Sequence, residues 1–250
     1  MSDGQGSRRR LDRLLTDRGL FPSREQARRA ILAGAVRVAG RRIDKPGTAI
    51  DPQAELALVG SEEPFVSRAG RKLAAALDRF EIDPTGWVCL DVGACTGGFT
   101  DCLLQRGAAR VYALDVGHGQ LDERLRRNPR VVAMERINAR YLAADALPEP
   151  VRLITVDVSF IGLAKVVPAL LPHLDPAGFL LTLIKPQFEA GREALGKGGI
   201  LRDDALRESA VRATREALEA LGLEALGTSD STLPGMGGNR ESFALLRERR

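Results

Sequence analysis

Lysine is scarce in this chain. Of its 37 basic residues only five are lysines, so arginine is the ordinary cation. One of the five, Lys185, ends the apolar run of the stretch "LTLIKPQFE", directly before a proline. A lysine at the end of an apolar strand, in a chain that otherwise uses arginine, requires a specific reason.

Cysteine and histidine are also scarce, and long apolar runs are missing. Cys89, Cys95 and Cys102 have no C-x-x-C spacing and only two histidines accompany them, which argues against a disulfide framework and against a metal site. No apolar run reaches the ~18 residues needed to span a membrane, and the basic N-terminus has no apolar segment behind it. We therefore expect a cytoplasmic protein without a membrane partner.

Positive charge is concentrated at the N-terminus. Residues 1–60 contain twelve Lys or Arg against seven Asp or Glu, whereas residues 61–250 contain 25 against 26. This asymmetry predicts a basic domain over 1–60, a linker over 61–66 and a nearly neutral domain over 67–250. A basic module of this kind favours a polyanionic partner.

The basic segment has the pattern of a small α+β domain. One short helix ends at Gly19, and a second begins after the N-cap Ser23 and ends at Gly34. A hairpin around Gly40 follows. The candidate phosphate contacts are arginines of the second helix and of the hairpin: Arg24, Arg28, Arg41 and Arg42. On composition alone, a solvated charged face explains these arginines equally well.

A resemblance favours RNA. The segment from about Arg10 to Ile50 resembles the small RNA-binding domain of a ribosomal small-subunit protein, of many pseudouridine synthases and of tyrosyl-tRNA synthetases. It implies structured RNA as the ligand, which basic surfaces recognise by charge and shape.

The larger segment alternates apolar strands with helical stretches. This alternation predicts an α/β fold with a mostly parallel sheet and ligands at the carboxyl ends of its strands. A long helix and two final strands follow the alternating part. The predicted strands are Trp87–Val92, Arg110–Val116, Arg130–Met134, Leu153–Val158 and Phe179–Ile184, then Leu223–Thr228 and "ESFALLRER".

A glycine-rich loop follows the first of these strands. In "DVGACTGGFT", Gly93, Gly97 and Gly98 would let a ligand approach the main chain, and Asp115 ends the next strand, where a carboxylate is able to accept the hydroxyls of a ribose. The spacing G-x-x-x-G-G is neither the dinucleotide pattern G-x-G-x-x-G nor a phosphate loop. It resembles motif I of S-adenosylmethionine-dependent methyltransferases. A glycine-rich turn without a ligand is the plainer alternative.

Four charged residues are predicted at the same edge of the sheet: Lys72, Asp157, Lys185 and Glu241. Each alone has a structural explanation, as a helix-surface charge, a helix N-cap or a strand-edge solubiliser. Together they are similar to the Lys-Asp-Lys-Glu tetrad of ribose 2′-O-methyltransferases of the FtsJ type.

The motifs "SRAGRKL", "DVGACTGGFT", "ERINAR", "VDVSFI", "KPQFE" and "GNRESF" resemble those of the TlyA family of ribosomal RNA 2′-O-methyltransferases. The resemblance covers nearly the whole chain. It implies a Rossmann-like class I methyltransferase with a seven-stranded sheet, S-adenosylmethionine as cofactor, and ribosomal RNA or ribosomal subunits as partner. The cofactor contacts that it implies are Gly93, Thr96, Gly97, Asp115, Ile137, Asn138 and Asp157.

Lysine suits the reaction that this family catalyses. A ribose hydroxyl is a poor nucleophile, and a base must remove its proton during methyl transfer. Arginine keeps its proton in proteins, whereas a lysine with a depressed pKa gives it up. We expect Lys185 to be that base, with burial and Lys72 lowering its pKa and with Asp157 and Glu241 balancing the two ammonium groups.

Three other functions fit the sequence less well. Family members have been called haemolysins, but the sequence has neither an export signal nor a long amphipathic stretch. A non-catalytic RNA-binding or assembly factor has no need of the charged tetrad. A base-methylating enzyme usually carries N-P-P-[YF] after the fourth strand, where this chain has "DVSF".

Overall fold

The chain divides into two compact units. A computed structural model describes residues 8–59, 64–190, 196, 199–235 and 238–249. Contacts between residues group Met1–Arg68 into one unit and Ala69–Arg250 into the other. The first three residues of the predicted linker 61–66 lie outside the described residues.

The N-terminal unit contains two helices and short β-strands. Its helices are α1 (Leu11–Asp17) and α2 (Arg24–Leu32). Strands β1 and β4 pair antiparallel, and β3-β2-β5 form a small sheet. The hairpin β2–β3 was predicted, whereas the very short β1, β4 and β5 were not. The strands are β1 (Arg9–Arg10), β2 (Val36–Val38), β3 (Arg41–Arg42), β4 (Ala49–Ile50) and β5 (Leu56–Leu58).

Helix α2 begins and ends where its sequence predicts. The Ser23 Oγ accepts a hydrogen bond of 3.2 Å from the Gln26 N–H, as an N-cap does. Gly34, just beyond the helix, has φ +73°, a conformation that glycine adopts without steric cost. The apolar stripe of α2, Ala27 and Ile31, is fully buried.

The larger unit is built on a seven-stranded sheet in the order β11-β12-β10-β9-β6-β7-β8. All neighbours pair parallel except those involving β12, which is antiparallel to both β10 and β11. The strands are β6 (Val88–Val92), β7 (Arg110–Asp115), β8 (Val131–Glu135), β9 (Val151–Val156), β10 (Leu174–Ile184), β11 (Leu223–Asp230) and β12 (Ser242–Glu248). The predicted fold class is confirmed.

Helices connect these strands, and short 3₁₀ turns complete the connections. Helix α7 carries Asp203 as its N-cap, whose carboxylate accepts from the N–H groups of Ala205 and Leu206. The helices are α3 (Ala69–Arg79), α4 (Gly98–Gln105), α5 (Glu123–Arg126), α6 (Pro186–Glu189) and α7 (Asp204–Glu219). Within the described residues no helix is both long and apolar enough to cross a bilayer.

The register of the sheet determines where the site lies. Val92 is opposite both Leu114 and Val156, and Val156 is opposite Thr182. Since these strands are parallel, the residues that follow β6, β7, β9 and β10 meet at one edge. The antiparallel partner of Ile184 is Ser242, so the residue before β12 reaches the same edge.

Candidate active site

Lys72 and Glu241 form a closed ion pair. Lys72 lies in the first turn of α3, and its Nζ is 2.6 Å from the Glu241 Oε2. Only 8% of the lysine side chain and 3% of the glutamate side chain are exposed. Gly235 lies directly against this carboxylate, since an added Cβ there would be 2.0 Å from the Glu241 Oε1. Neither residue is a surface charge.

Lys185 and Asp157 form a second, more open pair. The Lys185 Nζ is 2.5 Å from the Asp157 Oδ1, with 12% and 18% of the two side chains exposed. The ammonium also donates a hydrogen bond of 3.0 Å to the Oγ of Ser159. Lys185 directly follows β10 and Asp157 directly follows β9, as the sheet register requires. An ion pair with Asp157 and a hydrogen bond to Ser159 therefore hold the lysine nitrogen.

The pKa of Lys185 is higher than the sequence argument assumed. Burial acts to lower the pKa, but the charge and hydrogen bond of Asp157 outweigh it, and the charge of Glu241 adds to the same effect. The pKa of Lys185 therefore lies above its usual value. The expectation of a depressed pKa was wrong for the protein alone, because Asp157 is in direct contact with the ammonium group.

The loop after Asp157 contains two residues that sequence reasoning missed. Ser159 is one, and Phe160 is the other: its side chain is 89% exposed although its ring lies 4.9 Å from that of Phe188. Phe160 also has φ +67°, an uncommon conformation for an aromatic residue. The carboxylate of Glu189 accepts from the Leu163 N–H at 2.9 Å and ties this loop to α6. Both residues lie within the quoted motif "VDVSFI".

The glycines of the loop after β6 are required by the chain itself. Gly93 has φ +86°, and a Cβ there would lie 2.4 Å from the carbonyl oxygen of Asp157. Gly97 has φ +94°, and a Cβ would lie 2.2 Å from Leu125. Thr96, between them, is buried. Close packing and backbone conformation account for both glycines whether or not a ligand approaches them.

Two backbone N–H groups hold the Asp115 carboxylate, which keeps free acceptor positions for the hydroxyls of a ribose. Its Oδ2 accepts from the Cys95 N–H at 2.9 Å, and its Oδ1 accepts from the Gly117 N–H at 2.6 Å. A carboxylate has about four acceptor positions, so two remain for hydroxyl donors. The next residue, Val116, is 71% exposed and offers an apolar surface beside the carboxylate. This combination fits a nucleoside.

Ile137 and Asn138 follow β8. The Ile137 N–H donates to the carbonyl oxygen of Asp115 at 3.1 Å, which places it beside the candidate ribose site. Asn138 is exposed, and its side chain accepts from the Arg140 N–H as the N-cap of a 3₁₀ turn. A turn role accounts for Asn138 by itself.

A buried carboxyl lies beneath the site. Asp91 is fully buried and accepts hydrogen bonds from Thr100 at 2.7 Å and from Thr155 at 3.2 Å. Burial raises the pKa of Asp91 to about 7, against the effect of these two hydrogen bonds, and the nearby charge of Asp157 adds to the rise. Asp91 thus connects β6 with the first turn of α4 and with β9.

The N-terminal unit contains an arginine cluster on one buried carboxylate. Asp12, whose side chain is 4% exposed, is 2.9 Å from Arg10 and 3.1 Å from Arg24. Arg28 and Arg41 are exposed. Arg42 lies across Gly34, where an added Cβ would be 2.0 Å from its guanidinium. Arg24 was predicted from the sequence, whereas Arg10 and the Asp12 carboxylate that holds both arginines were not.

No metal site is formed by the part of the chain that the structure describes. Three or more histidine, cysteine or carboxylate side chains do not come together there in an arrangement that could hold an ion.

The chain matches two protein families. The profile of the FtsJ-like methyltransferases matches residues 65–248, and that of the S4 domain matches residues 9–56. The 16S/23S rRNA (cytidine-2′-O)-methyltransferase TlyA of Mycobacterium tuberculosis is 46% identical over 241 residues, which are 96% of this chain and 90% of that protein. The chain belongs to the TlyA group of FtsJ-like methyltransferases. Hemolysin A of Brachyspira hyodysenteriae is 41% identical to this TlyA-type chain over 236 residues. The match covers 94% of this chain and 98% of hemolysin A.

Solved structures share the fold of this chain. A putative hemolysin from Streptococcus thermophilus has a TM-score of 0.75 and 41% identity, and the match covers 97% of this chain and 89% of that one. The N-methyltransferase NodS from Bradyrhizobium japonicum, in complex with S-adenosyl-L-homocysteine, has a TM-score of 0.52 and 16% identity over 76% of this chain and 90% of its own. NodS shares the fold alone.

Proposed function

We propose that this protein is an S-adenosylmethionine-dependent methyltransferase that modifies a ribose 2′-hydroxyl of ribosomal RNA. The arrangement that carries this proposal is Lys185, held by Asp157 and Ser159 at the sheet edge that also carries Asp115. The printed activity of the Mycobacterium tuberculosis relative, on cytidine of 16S and 23S rRNA, supports the substrate class. With this substrate the enzyme would work in the cytoplasm.

The cofactor would bind along the edge formed by the ends of β6, β7 and β8. Asp115 would accept the ribose hydroxyls of the cofactor, Val116 and Ile137 would border its adenine, and Thr96 with its neighbouring glycines would line the methionine part. When bound, S-adenosylmethionine supplies an electrophilic methyl group. Asn138 is the weakest candidate contact, because its side chain already caps a turn.

Lys185 would accept the proton of the attacking hydroxyl. Its ammonium group has three N–H donors. Asp157 and Ser159 engage two of them, so the third donor is the one that a substrate hydroxyl would meet. After that proton is lost, the same two acceptors hold the remaining N–H groups and leave the lone pair directed at the hydroxyl. The raised pKa means that the lysine must first lose a proton to solvent, which makes the reaction faster at higher pH.

Lys72 and Glu241 would orient the ribose from the other side of the edge. Their buried ion pair holds the Lys72 ammonium in one position beside the site. Phe160 would lie under the base of the target nucleotide, because its exposed ring follows the serine that contacts Lys185. Stacking on an aromatic ring is a common way to hold an unpaired base.

The N-terminal unit would supply RNA affinity. Its match to the S4 domain and its net positive charge support this role, and Arg24, Arg28, Arg41 and Arg42 are the proposed phosphate contacts. Each lost phosphate contact lowers the slope of log affinity against log salt by about one. Alanine at Arg28 and at Arg41 should each reduce this slope while kcat at saturating RNA is unchanged.

The test is transfer of labelled methyl from S-adenosylmethionine to purified ribosomal subunits and to naked ribosomal RNA. We expect the label in a ribose, detected as a phosphodiester bond that resists alkaline cleavage. Label in a base would contradict the ribose assignment. RNA binding with no label on any substrate would favour an assembly factor with the same fold.

A further inference from the structure

A cavity lies directly beside Lys72. It has a volume of about 480 Å³ and runs between α3 and the ends of β11 and β12. Ala75 and Ala76 form its helix side, Phe243 contributes an apolar wall, and Ser229, Ser231 and Thr232 place hydroxyl groups along the strand side. Its size is within the range of small-molecule pockets. The cavity therefore has one apolar side and one side that forms hydrogen bonds.

The carboxylates of the cavity are already neutralised. Asp78 receives two hydrogen bonds from Arg106, of 2.6 and 3.0 Å. Asp230 is within 3.1 Å of Arg207 and 3.2 Å of Arg240. The neutralising arginines, Arg106, Arg207 and Arg240, do not line the cavity, whereas Arg79 does. Among the described side chains Arg79 has no ion-pair partner, and it is exposed. Lys72, Asp78 and Asp230 are paired, which leaves Arg79 as the unpaired cation of the cavity lining among the described residues.

Spacing along α3 connects the cavity to the reaction site. Lys72 and Arg79 are seven residues apart, which is about two helical turns or ~10 Å, and so they share one face of the helix. Directly after the C-terminal end of α3, Phe80 packs against Gly227, where an added Cβ would be 3.2 Å from the ring. A ligand at Lys72 could therefore continue along the cavity towards Arg79.

We propose that this cavity binds the nucleotide next to the methylated one, with a phosphate at Arg79 and the base against Ala75, Ala76 and Phe243. The proposal rests on the proposed function, because it takes the target ribose to lie at Lys72. A phosphodiester needs a cation and hydroxyl donors, and an unpaired base needs an apolar wall. The cavity supplies all three.

Two variants test this binding site. Arg79→Ala removes the cation, and Ala75→Trp fills the cavity from the helix side. Arg127→Ala is the matched control, since Arg127 is 79% exposed beside α5, on a different helix. Binding of naked 16S and 23S ribosomal RNA and of purified subunits is measured over a salt series, together with KM for RNA, kcat and S-adenosylmethionine affinity.

We expect Arg79→Ala to weaken RNA binding about tenfold and to lower the salt slope by about one, with cofactor affinity and kcat unchanged. Ala75→Trp should raise KM for RNA without changing the melting temperature. If Arg79→Ala bound RNA as tightly as Arg127→Ala does, the proposal would be overturned. The same holds if Arg79→Ala lost as much S-adenosylmethionine affinity as RNA affinity. If the wild type bound RNA but transferred no methyl group, the proposed function would be wrong. The effect of the two variants on RNA binding would still test the cavity.

Discussion

The two lysine–carboxylate pairs of the site have the same chemistry but different surroundings. Lys72–Glu241 is closed, with side-chain exposures of 8% and 3%. Lys185–Asp157 is more open, at 12% and 18%, and its lysine also donates to Ser159. A closed pair fixes the position of a charge, whereas a pair that solvent and substrate reach is able to exchange a proton. This difference supports the proposed roles, orientation for Lys72 and proton transfer for Lys185.

Removing one partner of the closed pair should have the largest effect on stability. Lys72→Met leaves the Glu241 carboxylate buried without a cation, and losses of about 3–5 kcal/mol are typical of such changes. Lys185→Met should cost less, because more of the Asp157 side chain is exposed, 18% against 3% for Glu241. Urea unfolding of both variants measures the difference. Equal losses would contradict the distinction between a closed and an open pair.

The pH dependence of the rate tests proton transfer at the open pair. A base must be neutral to accept a proton, and below its pKa the neutral fraction of a lysine rises about tenfold per pH unit. Because the pKa of Lys185 is raised, kcat should increase without a plateau between about pH 6.5 and 8.5, roughly a hundredfold in total.

Asp157→Asn sharpens the same test. It removes the charge that raises the pKa of Lys185, so the increase in kcat should move to lower pH. A wild-type kcat that is constant over this pH range would show that deprotonation of Lys185 does not limit the reaction.

Loss of the second acceptor should have a smaller effect. Ser159→Ala removes one of the two groups that orient Lys185, and we expect kcat to fall about tenfold with cofactor affinity unchanged, the effect of one hydrogen bond to a charged group. Ser159→Thr should restore much of the rate. Thr85→Val is the control. It removes a hydroxyl that donates a hydrogen bond to Asp83, and both residues are distant in sequence from Ser159 and Lys185. A fall in melting temperature that matches the fall in kcat would assign Ser159 a structural role.

Much of the fold could be predicted from the sequence. The seven strands of the large sheet overlap the predicted ranges. The five inner strands are largely buried and apolar, whereas the edge strands β8 and β11 are mostly exposed. The short strands β1, β4 and β5 were not predicted, because, unlike the hairpin β2–β3, they pair with partners that are remote in sequence. Their pairing depends on contacts with distant parts of the chain.

The site was only partly predictable. Lys72, Asp157, Lys185 and Glu241 were recognised from motifs, and the structure groups them into two pairs. The role of Ser159 was not predictable, because it depends on a hydrogen bond across two loops. The pKa direction of Lys185 was predicted wrongly, because sequence spacing does not reveal that a carboxylate lies 2.5 Å from the ammonium.

The assignment of Lys185 as the base is tested most directly by Lys185→Arg. Arginine keeps the positive charge beside Asp157 but does not release a proton in proteins. We measure S-adenosylmethionine affinity by calorimetry and methyl transfer to ribosomal RNA in the same preparation. We expect unchanged S-adenosylmethionine affinity and a rate of methyl transfer reduced by about a thousandfold, as for loss of a general base. Transfer at close to the wild-type rate would contradict the assignment.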